Sequence, residues 1–237
     1  MPGRKQITAA QLAQHLSYKS SLALLPPSSI TRPIEDVRRV HDKHFTRWPP
    51  HINLIYPFLA SNSEAGLSEE QGGRVQDPSN QPLPRLKQDI RSRIETVVRD
   101  IQPFHVALSA DPAGVFHHGK KNKTVWLDPL APSTTRSATT IHELQAALQS
   151  EFAECDADGR PFTPHLSLGG ARSDKGAQDI CDAIRNSIAN LQLSEAPEQE
   201  DKQPIVLNYY VDKVFVIARK GFHDRFQIIG AVELGKK

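Results

Sequence analysis

Apolar residues along this chain switch between two periods. "SLALLPP" is a short apolar run closed by prolines and reads as a strand. In "SITRPIEDVRRVHDKHF" a serine and an early proline precede Ile34, Val37 and Val40 at three-residue spacing, which predicts a helix, and "HINLIYPF" then returns to a strand. Leu86, Ile90, Ile94, Val97, Val98 and Ile101 mark one face of a second helix. "PFHVALSA" and "KTVWLDPL" read as strands joined by a polar turn, "DPAGVFHHGKKN". "TTIHELQAALQSEF" is helical, "PHLSLGG" a strand and "KGAQDICDAIRNSIANL" another helix; "IVLNYYVDKVFVIARK" and "FQIIGAVEL" form a closing pair of strands.

Helix and strand patterns alternate, but short turns join several neighbouring strands, so antiparallel pairing is favoured over a doubly wound parallel sheet. The expected fold is α+β and bilobal: two pseudo-symmetric lobes, each with a mainly antiparallel sheet and helices, and a cleft between them. Residues 60–84 are rich in Ser, Gly, Pro and acids without an apolar period, and are expected to form a mobile, disordered insertion. Residues 1–19 read as a flexible N-terminus and 20–234 as one domain. The first 34 residues contain no acid and "MPGRKQITAAQLAQHLSYKSS" is faintly amphipathic, but its basic residues are sparse for a mitochondrial presequence, and a frayed or loosely docked terminus is the preferred reading.

Charge narrows the partners. The 237 residues carry 29 Lys and Arg against 27 Asp and Glu, a formal +2, which argues against a general nucleic-acid coat or a polybasic membrane binder while leaving room for a local basic cleft. No apolar run approaches the length of a membrane span. Two cysteines, Cys155 and Cys181, point to a reducing compartment, cytoplasm or nucleus, and neither sits in a motif that would activate a thiol. A monomer is expected.

The chemistry concentrates in two echoing segments, "PPHINLIYPF" and "PFTPHLSLGG". Each places a histidine after a proline, then an apolar residue, then a small polar one: His51 with Asn53, and His165 with Ser167, 114 residues apart. On a strand, alternate side chains share a face, so each segment offers an imidazole and a hydrogen-bonding group from one side. Across a cleft, two such pairs suit phosphoryl chemistry without metal: one imidazole accepts a proton, the other donates one, and Asn53 and Ser167 donate to phosphate oxygens. Either motif alone is more often structural; recurrence at matched spacing turns the balance towards function.

The repeated motif resembles the signature of the two-histidine (2H) phosphoesterase superfamily, which carries His-x-Thr/Ser-x once in each of two pseudo-symmetric lobes. That superfamily includes the bacterial 2'-5' RNA ligase-like proteins and the RNA 2',3'-cyclic phosphodiesterases. The resemblance implies that His51 and His165 are the catalytic pair, that Ser167 binds phosphate, and that the substrate is the 2',3'-cyclic phosphate end of an RNA or a cyclic nucleotide, opened to a 2'-phosphate without a cofactor. It makes His51 the acid and His165 the base, roles that can be exchanged. Asn53 departs from the Thr/Ser of the pattern, yet its amide can still donate. Arg172 resembles a basic residue often found after the second motif.

Weaker candidates flank these motifs. Lys43 and Arg47 would add positive charge at the cleft entrance, and Phe116, in the basic turn "FHHGKKNKT", could stack a base. His41 and His44 lie at helical spacing but lack a third ligand, so no metal site is expected. The strongest reading from another class is a catalytically silent RNA- or nucleotide-binding module with the same cleft, which Asn53 favours and the intact histidine pair opposes. A scaffold with no ligand leaves both polar pairs unexplained.

Overall fold

The structure, a computed structural model, describes residues 12–64, 85–129, 137–156, 161–195 and 205–236. Strands β1 (Leu16–Ser17) and β2 (Ser20–Leu24) lead into helix α1 (Ser28–His41), followed by β3 (Ile52–Ile55), β4 (Phe58–Leu59) and β5 (Ser63–Glu64). Next come β6 (Arg85–Leu86), α2 (Gln88–Val98), β7 (Phe104–Gly119), β8 (Asn122–Asp128) and α3 (Ser137–Glu151). The chain continues through β9 (Leu166–Ala171), α4 (Asp174–Glu195), β10 (Val206–Val211), β11 (Lys213–Ala218) and β12 (Gln227–Glu233).

The α+β class holds, but the two expected sheets are one. Eight strands run in the order β10-β7-β8-β9-β3-β2-β11-β12, every neighbouring pair antiparallel. Four strands lie on each side of a central seam between β9 and β3, where a single register pair, Ile52 with Leu166, joins the halves. A second tie is covalent. β10 pairs with β7 in one half and β11 with β2 and β12 in the other, yet only Asp212 separates them, so the sheet must curl to bring its two halves to a common strand. The expected closing pair is therefore β11 with β12, while β10 forms the opposite edge.

Apolar stripes fix the helices against this sheet. Ile90, Ile94 and Val98 of α2, Ile141, Leu144 and Leu148 of α3, and Ile180, Ile184 and Ile188 of α4 are all buried at three- and four-residue spacing, as one helical face requires. With Ile34 and Val37 of α1 they join Ile52, Leu54, Leu166 and Leu168 in one core. The T-shaped contact of Phe58 with Phe152, 5.2 Å between ring centroids, fills part of it.

Three other expectations are corrected. The stretch from Asp111 to Gly119 is strand: β7 runs on through it with register shifts, and the turn shrinks to Lys120 and Lys121. Residues 12–19 are not loose, since buried Leu16 lies in β1 and pairs with β4. Of the expected insertion, Ser63 and Glu64 lie in β5 and pair with β6; its remainder, 65–84, lies outside the described residues, as does 1–11 of the N-terminus.

Helix α1 meets β9 where β9 has no side chain. A Cβ on Gly169 would stand 2.8 Å from the His41 carbonyl oxygen, so glycine admits the helix end that carries Asp42 and Lys43 to the cleft. Gly169→Ala is expected to destabilise the fold by about 1–3 kcal/mol, because backbone rather than a flexible side chain must yield. A chemical denaturation midpoint equal to wild type would refute this contact as a constraint.

Candidate active site

The seam that joins the halves also builds the site. Ile52 and Leu166 face each other, fully buried, and strand alternation turns the residues on either side of each to the opposite face. Carrying the antiparallel register one step each way sets His51 across from Ser167 and Asn53 across from His165. The two histidines then lie on the diagonal of this square, their backbones roughly 7–8 Å apart. A phosphate over its centre would be flanked by both imidazoles and both hydrogen-bonding side chains.

Each imidazole is fixed in the same way. His51 Nδ1 lies 2.7 Å from the Pro49 carbonyl and His165 Nδ1 lies 2.8 Å from the Thr163 carbonyl, two residues back in both cases. A carbonyl only accepts, so Nδ1 carries the hydrogen in each neutral ring and Nε2 is left for a ligand. The residue before the repeated proline, Pro49 in one segment and Thr163 in the other, thus supplies the orienting acceptor. Aromatic rings hold the imidazoles from the side: Trp48 stacks on His51 at 4.5 Å, backed by Phe226 at 3.7 Å, and Phe116 meets His165 edge-on at 5.0 Å while stacking on Trp126.

Burial makes both rings hard to charge. Desolvation, above all, brings the His51 pKa down to about 4; the bond to Pro49 opposes it, and the Arg38 guanidinium adds to it. His165 is also lowered by desolvation and by neighbouring His118, against the effect of the Thr163 bond. Arg38 is buried in α1, where its Nε and Nη2 donate to Asp42 Oδ2 at 3.0 and 2.7 Å.

Asn53 has an identifiable supporting partner. The Ser21 hydroxyl on β2 lies 2.5 Å from Asn53 Oδ1 and donates to it, which leaves the two Nδ2 hydrogens for the cleft. The departure from Thr/Ser therefore keeps a donor at this corner of the square.

Two chambers meet over the square, with Asn53, Tyr56, His118, Thr124 and Ser167 lining both. The first, about 860 Å³, includes His51, Lys43 and Arg172 as expected from the sequence, Lys121 and Lys123 from the basic turn "FHHGKKNKT", and Arg38 and Trp48, which sequence reasoning missed. The second, about 650 Å³, includes His165, Phe116, Phe162, Gln145 and Gln149. Arg47 is not brought into either lining; its guanidinium contacts the His44 ring and its carbonyl accepts from Phe226. His41 and His44 line the first chamber, but no group of three potential metal ligands occurs among the described residues. Arg38 and Trp48 left no usable sequence signal: one reads as a helix charge, the other as a lone aromatic. Cys155 and Cys181 are free thiols, and burial pushes the Cys155 pKa up to about 12, so neither is an activated nucleophile. No helix among the described residues is long and apolar enough to cross a membrane.

A family profile described as the 2'-5' RNA ligase superfamily matches residues 26–221. Among solved structures, Escherichia coli LigT complexed with 3'-AMP is 14% identical with a TM-score of 0.48, covering 92% of this chain and 99% of its own. The Thermus thermophilus protein TT0787 is 13% identical at 0.45, covering 92% and 98%, and Kluyveromyces marxianus Usb1 with uridine monophosphate is 14% identical at 0.38, covering 91% and 97%. No match is found among curated protein sequences.

In a proton NMR titration of the free protein, the Cε1–H resonances of His51 and His165, like that of His44, are expected to titrate below the ordinary value of about 6.5, with that of His51 near pH 4. His51→Gln and His165→Gln assign the first two by removing one resonance each. Ordinary titration of both would contradict the buried, neutral pair.

Proposed function

The chain belongs to the 2'-5' RNA ligase superfamily, and on that premise we propose that it is a phosphodiesterase that hydrolyses 2',3'-cyclic phosphate ends of RNA or nucleotides to a 2'-phosphate, without a metal ion. The observation that carries this reading is the square at the β3–β9 seam, where two imidazoles with free Nε2 atoms and two hydrogen-bonding side chains share one face.

With the cyclic phosphate over that face, a neutral imidazole takes a proton from water as the water oxygen bonds to phosphorus. The P–O3' bond breaks, the opposite imidazolium gives its Nε2 proton to O3', and the bond to O2' survives. Asn53 Nδ2 and Ser167 Oγ donate to the non-bridging oxygens, where charge builds. His51, the ring beside the buried Arg38 guanidinium, is the harder to protonate and suits the base. His165, whose shift has His118 but no guanidinium or ammonium among its causes, suits the acid, and the bound phosphate stabilises its imidazolium. This exchanges the roles that the resemblance implied.

His51→Ala and His165→Ala are each expected to lower kcat on an RNA 2',3'-cyclic phosphate by at least ~10²-fold with the fold intact, the usual reach of one acid or base. EDTA should leave the rate unchanged, and the product should carry its phosphate on O2'. Full activity in either alanine variant would sink the proposal.

The kcat/KM profile should be bell-shaped, since the base must be neutral and the acid charged. Its rising limb follows loss of the His51 proton, near pH 4 in the free protein, and its falling limb follows loss of the His165 proton, below the ordinary histidine value. An optimum on the acid side of about 6.5 is expected; an alkaline optimum for kcat/KM would exclude this pair as the titrating groups.

A further inference from the structure

The two chambers that meet over the square differ in charge. Five fixed cations, Arg38, Lys43, Lys121, Lys123 and Arg172, line the chamber on the His51 side. Among the described residues Asp42 is its one carboxylate, and that group is committed to Arg38 at 2.7 Å. No described lysine or arginine lines the chamber on the His165 side, where Phe116, Phe162 and the amides of Gln145 and Gln149 take their place. A single cyclic phosphate, held by the square itself, accounts for none of this asymmetry.

Two of the five cations are built into the protein. Lys123 on β8 is 4% exposed, and its ammonium meets Asp174 Oδ1 at 3.2 Å, a carboxylate 89% exposed at the rim. Arg38 is 2% exposed, and although Nε and Nη2 are bonded, buried Nη1 has no hydrogen-bond partner among the described residues. Burying a cation with incomplete partners costs free energy, and an anion in the chamber offsets it. Lys43, Lys121 and Arg172 are exposed and can close on such an anion. A nucleobase is the poorer occupant, since Trp48 is already stacked against both His51 and Phe226.

We propose that the substrate carries a second phosphate, one nucleotide step from the cyclic phosphate, and that this phosphate is bound in the cationic chamber while the nucleoside reaches towards Phe116 in the other. This rests on the phosphodiesterase reading and sharpens it: a cyclic nucleoside phosphate alone fills half of the site. The second phosphate is either an internucleotide diester or a 5'-phosphomonoester, and both are anions of the same kind.

Calorimetric titration with 3'-AMP and with adenosine 3',5'-bisphosphate tests the chamber without turnover. The bisphosphate is expected to bind at least ~10-fold more tightly, with the advantage shrinking as salt rises. Lys121→Ala and Arg172→Ala, both at exposed positions, should reduce that ratio, as should Lys123→Met. Equal affinities, or a ratio insensitive to all three substitutions, overturn the inference. In a parallel assay, adenosine 2',3'-cyclic phosphate, its 5'-phosphate and a dinucleotide ending in a cyclic phosphate are compared by kcat/KM. A gain with both phosphorylated forms supports a shared phosphate site, a gain with the dinucleotide alone identifies the internucleotide diester, and no gain counts against the site. Failure to hydrolyse any of the three refutes the phosphodiesterase reading, and the binding ratio still decides the second phosphate.

Discussion

One register pair, Ile52 against Leu166, is the constraint on which the rest depends. It buries two apolar side chains on one face, and because strand side chains alternate it obliges the residues on either side to present on the other. A slip of one residue would bury the polar set and expose the apolar one. Hydrophobic packing and placement of the chemistry are thus the same geometric fact, and the cost of misregister falls on both together.

The imidazoles are fixed by local covalent reach. Each takes its orientation from a carbonyl two residues upstream, so the tautomer is settled within a tripeptide and needs no distant carboxylate. Burial then sets how readily each ring takes a proton, and Arg38 separates the two environments. The pair is alike in origin and unlike in electrostatics, the difference on which the proposed division into acid and base rests.

The sequence made the motifs, the helices and the antiparallel α+β class legible, because these depend on short-range periodicity and on a repeated tetrad. It suggested separate sheets because nothing local reveals that β3 of one half lies beside β9 of the other. The polar, proline-bearing stretch after Ala110 read as a turn; pairing to β8 overrides that local preference, with register shifts absorbing the irregularity. Arg38 carries no sequence signal of its own, since its burial is decided by the loop through Trp48 that accepts its Nη2 hydrogen bond. Ser21 was invisible as the partner of Asn53 for the same reason, since it lies 32 positions earlier in the chain.

The passage from β10 to β11 through Asp212 alone has a mechanical meaning. A chain that crosses between the halves in one residue, its carbonyl accepting a hydrogen bond from Leu234, leaves no slack for a hinge. The seam is a second tie, so the halves are joined both by strand pairing and by the chain itself. The width of the cleft is thus set by strand pairing and by one residue of chain rather than by a flexible linker.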